Sequence, residues 1–177
     1  MLRSVTVINN IKGTYKLMRV NIKNTDGINF EATTSKGVKF DIKPKEVSPI
    51  ELFALATITC SGTDMVMMPE KQGHKVSNLD ISGDIERAES YPQKFTTLHV
   101  TYSFDSDAED DKAKKWVMAS METYCSTLNT IRSDVRLSYT IIHNGKTIAD
   151  KKEIISGAGM AALAGEDMGD IGGACCS

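Results

Sequence analysis

Several things are scarce in this sequence, and each shortage excludes a class of function. Lysine and arginine number 21 against 23 aspartates and glutamates, which leaves a formal net charge of only -2. A nearly neutral chain has no field to draw nucleic acid or an anionic membrane surface, so neither is expected as a partner. No apolar run approaches the length of a membrane span, and the opening residues Met1-Leu2-Arg3-Ser4-Val5-Thr6-Val7 lack a signal-peptide core. Both absences point to a cytoplasmic protein. The three histidines, His74, His99 and His143, stand at no metal-ligand spacing to a cysteine, so structural or surface roles are expected for them. The four cysteines, in a reducing compartment, argue against a disulfide scaffold and leave redox chemistry, metal binding or plain packing. No internal repeat is visible, and 177 residues suffice for one domain with a real core.

What is present changes period along the chain. Ser4 to Ile8 and Tyr15 to Ile22 read as strands, and Asp26-Gly27 and Lys36-Gly37 as turns in an N-terminal antiparallel meander running to Ile42. Ser48-Pro49 then reads as an N-cap followed by proline at the first helical position, and Glu51 completes a capping box. The helix that follows is apolar nearly all round, through Leu52, Phe53, Leu55, Ala56, Ile58, Val66 and Met67. It is therefore expected to be central, ending or bending near Pro69 with Gly73 at the exit. Met65, Met67 and Met68 are read as core filling.

A second sheet region follows, from Val76 to Ile85 and from Phe95 to Phe104, the latter alternating cleanly. Asp105-Ser106-Asp107 is read as the cap of a second helix, whose stripe is Val117, Met121, Tyr124, Cys125, Leu128 and Ile131. A closing strand from Val135 to His143 turns at Asn144-Gly145. The domain is expected over residues 1–155. Residues 156–177, rich in Gly, Ala and Met and ending in Cys175-Cys176-Ser177, read as an extension with some helix around Met160 to Ala164.

Cys60 and Cys125 each sit in one of the two helical segments. If those helices meet, so do the thiols, and a thiol pair reduces peroxides or holds a disulfide. The plainer reading is packing, because free cysteine behaves as a small hydrophobe. Reactivity needs thiolate, of which an unshifted pKa of about 8.5 leaves only a few per cent at neutral pH. A cationic neighbour would help, and arginines are few: Arg3, Arg19, Arg87, Arg132 and Arg136.

The order of segments, with Ser48-Pro49-Ile50-Glu51-Leu52-Phe53-Ala54 leading to Cys60 and with Cys125-Ser126-Thr127-Leu128 downstream, resembles the OsmC/Ohr family of peroxiredoxin-like proteins. The resemblance spans roughly Leu17 to His143. It implies an α+β fold, with antiparallel sheets around two central helices and two subunits intertwined as a homodimer. It also implies a peroxidase of the oxidative-stress response, without metal, haem or flavin, acting on an organic hydroperoxide and reset by an external dithiol. By residue matching Cys60 is the peroxidatic thiol and Cys125 the resolving one. Active members of the family carry a glutamate directly after the helix proline, paired with an arginine. Here that position is Ile50, and Glu51 lies about 100° further round the helix. Arg19 stands at about the right distance for the arginine. The branch that keeps both cysteines and lacks the glutamate is the better match. The alternative is a non-catalytic binding or stress protein of the same fold, holding a small hydrophobic ligand in the interhelical cleft.

Overall fold

The computed structural model describes residues 18–131 and 133–154. The expected strand at Ser4 to Ile8, the start of the one from Tyr15, and the whole extension from 156 with its Cys175-Cys176 pair lie outside the described residues. The chain divides into two compact units, one reaching to Pro49 and one beginning at Ile50.

The first unit contains the expected meander. Strands β1 (Asn21–Asp26), β2 (Asn29–Thr33) and β3 (Lys39–Ile42) form a three-stranded antiparallel sheet in sequence order. Glycine sits at the turns because the backbone there is left-handed, with φ of 54° at Gly27 and 81° at Gly37. Lys39 pairs with Glu31 across β2 and β3 at 2.8 Å, on the register that sets Thr33 opposite Lys39 and Ala32 opposite Phe40.

The second unit is a helical layer on a four-stranded sheet. Helix α1 (Pro49–Lys71) starts at the expected proline, with Glu51 in its first turn. It runs through Pro69, whose ring is tolerated so near the end, and stops in a Schellman turn. His74 N–H donates to the Pro69 carbonyl at 2.9 Å and Gly73 N–H to Glu70 at 3.0 Å, with Gly73 at φ 79°. At 23 residues α1 is, by length and composition, long and apolar enough to cross a membrane, which corrects the expectation that no segment approaches that length.

The sheet has the order β4 (Val76–Arg87), β5 (Phe95–Ser106), β6 (Arg136–His143), β7 (Lys146–Ile154). The fold is α+β, as expected. One pair departs from the antiparallel rule: β5 and β6 are parallel, because their connection is a helical crossover and not a hairpin. Strand β7 extends the sheet beyond the expected closing strand, through the Asn144-Gly145 turn, where both residues have positive φ. Phe95, Leu98, Val100, Tyr102 and Phe104 of β5, with Leu137, Tyr139 and Ile141 of β6, are buried. The helices cover that face. Each fully buried large side chain contributes about 1.5–3 kcal/mol.

Two glycines set how closely α1 lies on β4. A Cβ at Gly62 would stand 3.2 Å from Ile81 Cδ1, and one at Gly83 would stand 3.3 Å from Ile58 Cγ2. Each element thus supplies a gap for a branched side chain of the other.

The second helical segment is not one helix. Strand β5 runs on to Ser106, so Asp105-Ser106-Asp107 does not cap a helix. Helix α2 (Asp110–Ala119) begins after Glu109, and Asp110 and Asp111 occupy its first turn. Residues Ser120–Tyr124 form a π-helical turn, Cys125 is extended (φ -69°, ψ 103°), and α3 (Ser126–Thr130) follows. The wider turn and the extended residue together preserve the phase of the stripe. Val117, Met121, Cys125, Leu128 and Ile131 are buried despite the break, and Tyr124 of the expected stripe is only half-buried.

Candidate functional site

Helix α1 buries a face unlike the rest of it. Its inward residues are Thr57, Cys60, Ser61, Asp64, Met65, Met68 and Pro69, on a spacing of three and four. Phe53, Leu55 and Val66 are 45, 51 and 52 % exposed. The helix is therefore inverted around its middle, with polar side chains inside and several large apolar ones outside. Met65 and Met68 fill the core as expected, while Met67 is only half-buried.

The structure brings Cys60 and Cys125 together. Both are unoxidised and buried, near enough that the Cys60 sulfur opposes ionisation of Cys125. Cys125 is held from three directions. Its thiol lies 3.9 Å from the Thr57 carbonyl of α1 and 3.1 Å from Thr127 Oγ1, and its backbone N–H donates to the Ser120 carbonyl at 2.9 Å. That last bond is the i to i−5 contact that defines the π turn. Such turns concentrate where a helix must re-aim a side chain.

Burial pushes the Cys125 thiol up to about 12, and the Cys60 sulfur opposes its ionisation as well. Hydrogen bonds from Thr127 and the Leu128 N–H act the other way and are outweighed. Cys125 thus keeps its proton at neutral pH. The acceptor for that proton is the Thr57 carbonyl of α1, 3.9 Å from the sulfur.

Beside the sulfurs runs a chain of buried hydroxyls. Ser120 Oγ lies 2.8 Å from Asp64 Oδ2 and 2.8 Å from Ser61 Oγ. Ser61 in turn bonds the Tyr102 hydroxyl, which donates to the sulfur of Met121. The chain links α1, β5 and the π turn. Charge on Cys125, Asp64 or Cys60 opposes ionisation of Tyr102, whose pKa is raised mainly by burial. The sequence signal for this cluster was the polar residue set within an apolar helix. A hydrophobic pattern passes over such a set, because it counts polar residues in an apolar helix as defects.

An apolar cavity of about 240 Å³ opens among Ile50, Phe53, Phe95, Ile131 and Val135, with the Lys94–Asp134 ion pair at its edge. Phe53 and Phe95 meet there at a ring-centroid distance of 5.7 Å. Phe53 lies seven residues before Cys60, about 10 Å along the helix axis. The cavity thus shares walls with α1 and with the segment that follows Cys125.

Glu51 is exposed in the first turn of α1, and Ile50 lines the cavity. Arg19 is exposed in the first unit, ahead of β1 and not within a strand. Of the histidines, His143 is buried between two elements. Its Nδ1 donates to Asp110 Oδ1 at 2.8 Å, and Ser106 Oγ donates to its Nε2 at 2.8 Å. The arrangement resembles a hydrolytic triad, but Ser106 Oγ also accepts the Ala108 N–H at 3.3 Å and the Ser106 N–H is committed to Asn144. It ties the ends of β5 and β6 to the start of α2, a structural role. Among the described residues no group of three His, Cys, Asp or Glu is placed to hold a metal ion.

Comparison with known proteins agrees with this architecture. "Protein YhfA" of Escherichia coli K12 is 24% identical over 128 residues, spanning 70% of this chain and 96% of its own length. A crystal structure of an OsmC-like protein from Mycoplasma pneumoniae superposes with a TM-score of 0.63 at 11% identity, over 73% of this chain and 99% of that one. An organic hydroperoxide resistance protein, OsmC, from Legionella pneumophila superposes at 0.51 with 18% identity, over 73% and 98%. The sequence model of the OsmC-like protein family matches residues 42–140, which include both cysteines and more than half of the chain. The chain belongs to the OsmC-like protein family.

Proposed function

We propose that the protein is a thiol peroxidase that reduces organic hydroperoxides through Cys60 and Cys125. The observation that carries this reading is the contact between two buried thiols of which one, Cys125, retains its proton. The Cys60 thiolate attacks an oxygen of the peroxide, the O–O bond breaks, and the departing alkoxide takes a proton to leave as an alcohol. Cys60 is then a sulfenic acid. Cys125 loses its proton and attacks the Cys60 sulfur, and hydroxide leaves as water with that proton. An external dithiol reduces the resulting disulfide. Conversion of Cys60 to a neutral sulfenic acid removes one of the smaller causes that oppose ionisation of Cys125. The apolar cavity suits the organic part of the peroxide, and one structural neighbour carries hydroperoxide resistance in its name. A second copy of the chain would cover the exposed apolar side of α1, giving the homodimer that the family resemblance implies.

The test adds one equivalent of an organic hydroperoxide to reduced protein at neutral pH, followed by rapid quench and non-reducing peptide mass spectrometry. A Cys60–Cys125 disulfide formed within seconds is expected. Cys60→Ser should abolish peroxide consumption, and Cys125→Ser should leave a sulfenic acid that over-oxidises. Full activity in the Cys60→Ser protein overturns the mechanism.

A second reading rests on the same cavity and on Ile50 standing where active family members carry glutamate. On it the protein holds a small lipophilic ligand and the thiols oxidise slowly. Thiols that stay free for many minutes in the same experiment, with a lipophilic molecule copurifying, would favour it.

A further inference from the structure

Asp64 is the one buried carboxyl group on the inward face of α1, at 1 % exposure, and the peroxide chemistry above does not use it. It lies one turn beyond Cys60 on the same face. Its environment is poor for a carboxylate. Ser120 reaches Oδ2, while Oδ1 is buried with no hydrogen-bond partner among the described residues. An ionised carboxylate has about four lone-pair sites to satisfy, and leaving one oxygen bare in an apolar interior is costly. A neutral acid leaves only a carbonyl-like oxygen bare and gains a donor.

The hydroxyl chain distinguishes the two forms. It contains three hydroxyl protons, on Ser120, Ser61 and Tyr102, and ends at Met121 sulfur, which can only accept. With Asp64 ionised Ser120 donates to the carboxylate, and three protons must serve four links, so one link is left without a donor. With Asp64 protonated the order reverses: Asp64 donates to Ser120, Ser120 to Ser61, Ser61 to Tyr102 and Tyr102 to Met121. Only the second arrangement gives every link a donor. The titratable groups within electrostatic reach of Tyr102 are Asp64, Cys60 and Cys125, and each opposes a further negative charge.

Ser120 is the hub of this chain. Its side chain joins Asp64 and Ser61 of α1, and its carbonyl accepts the backbone N–H of Cys125. The bond that fixes the π turn and the bonds that fix that turn to α1 therefore meet on one residue. We infer that Asp64 is carried as the neutral acid and, through Ser120, acts as a positioning residue that holds the Cys125 turn onto the Cys60 helix. A proton on Asp64 also takes one negative charge out of the buried cluster around the two sulfurs. Desolvation raises the Asp64 pKa, in the same direction, and outweighs the Ser120 hydrogen bond, which acts the other way.

This rests on Cys60 and Cys125 working as a pair, and its test avoids peroxide so that the two ideas fail separately. Full-length protein with Cys175→Ser and Cys176→Ser is oxidised by diamide, whose N=N bond takes up the two thiol hydrogens as the Cys60–Cys125 bond forms. Ser120→Ala should slow that disulfide by about tenfold or more, because the pair loses its fixed orientation. Asp64→Asn, neutral and still a donor, should change it by less than about twofold. Alkylation of Cys60 by iodoacetamide at neutral pH should also change by less than about twofold in Asp64→Asn, because no charge has been removed. Infrared spectra of the folded parent should show a protonated-carboxyl carbonyl band at neutral pH that Asp64→Asn removes. That band needs no folded alanine variant. Faster alkylation by severalfold in Asp64→Asn, or absence of the band, would show an ionised Asp64 and overturn the inference. So would an unchanged disulfide rate in folded Ser120→Ala.

Discussion

If burial holds the Cys125 proton, stability must fall with rising pH in a way that Cys125 alone accounts for. The thiol lies in the core at 0 % exposure, with its ionisation pushed up to about 12. In the unfolded chain it titrates near 8.5. The sign follows from proton binding. Between those values the native state holds a proton that the unfolded state has released, so unfolding gains and stability is lost as pH rises. Below about 8.5 the contribution is fully present. Within the window the slope for one group is about 1.4 kcal/mol per pH unit. Tyr102 and Tyr139 are also raised by burial and act in the same direction at higher pH, so the Cys125 share must be isolated by difference. The comparison is reduced protein carrying Cys60→Ser, Cys175→Ser and Cys176→Ser against the same protein with Cys125→Ala added. Urea midpoints at pH 8, 9 and 10 should converge by about 1 kcal/mol per unit above pH 9. Removal of Cys60 takes away a secondary cause of the shift and leaves burial, the largest. Parallel stability curves, or ultraviolet thiolate absorbance appearing near pH 8.5 in folded protein, would refute the reasoning.

Three further outcomes are expected. Trp116 is wholly buried and its indole N–H donates to Gln72 Oε1 at 2.8 Å, so Trp116→Ala should cost about 3–5 kcal/mol by urea denaturation. Gly83→Val should destabilise by about 1–3 kcal/mol, because even the first added carbon meets Ile58 at 3.3 Å and Leu98 at 3.5 Å; partial rescue by Ile58→Ala would locate the strain. Hydrogen bonds from His143 and Lys146 hold Asp110 below its usual carboxylate range. That contribution is present above the unfolded pKa of about 3.9 and lost as pH falls through the lower folded value, so Asp110→Asn should narrow the stability difference between pH 5 and pH 3.

Where the fold was legible in the sequence, one residue type admitted only one backbone. Pro49 opens α1, Gly73 closes it, Asn144-Gly145 turns the last hairpin, and the alternation from Phe95 to Phe104 fixes which face of β5 is buried. The expectations that changed concern segments whose local signals fit two arrangements. Asp105-Ser106-Asp107 has the composition of a cap, yet β5 runs to Ser106, while the Asp105 side chain binds Asn78 and Asp107 meets His74. The stripe from Val117 to Ile131 fits an unbroken helix, and a π turn followed by an extended Cys125 satisfies it equally well. Periodicity counts buried positions and does not see a residue inserted between them.

That insertion is what makes the site. The break places Cys125 at the end of the π turn with its N–H bonded to Ser120, and the same Ser120 side chain crosses to Asp64 on the helix that carries Cys60. Hydrophobic pattern cannot report this, because serine and aspartate within an apolar helix count as defects in it. A Thr57, Cys60, Ser61, Asp64 stripe read as a polar face in its own right would have predicted a buried network at that turn. Burying that many polar groups is favourable only when nearly all find partners. The partners here come from β5 and the π turn, the two elements that flank the thiol pair. Loss of the Ser120–Asp64 link therefore acts on the geometry of the sulfurs as well as on stability, and a hydrophobic replacement of equal volume would preserve at most the second.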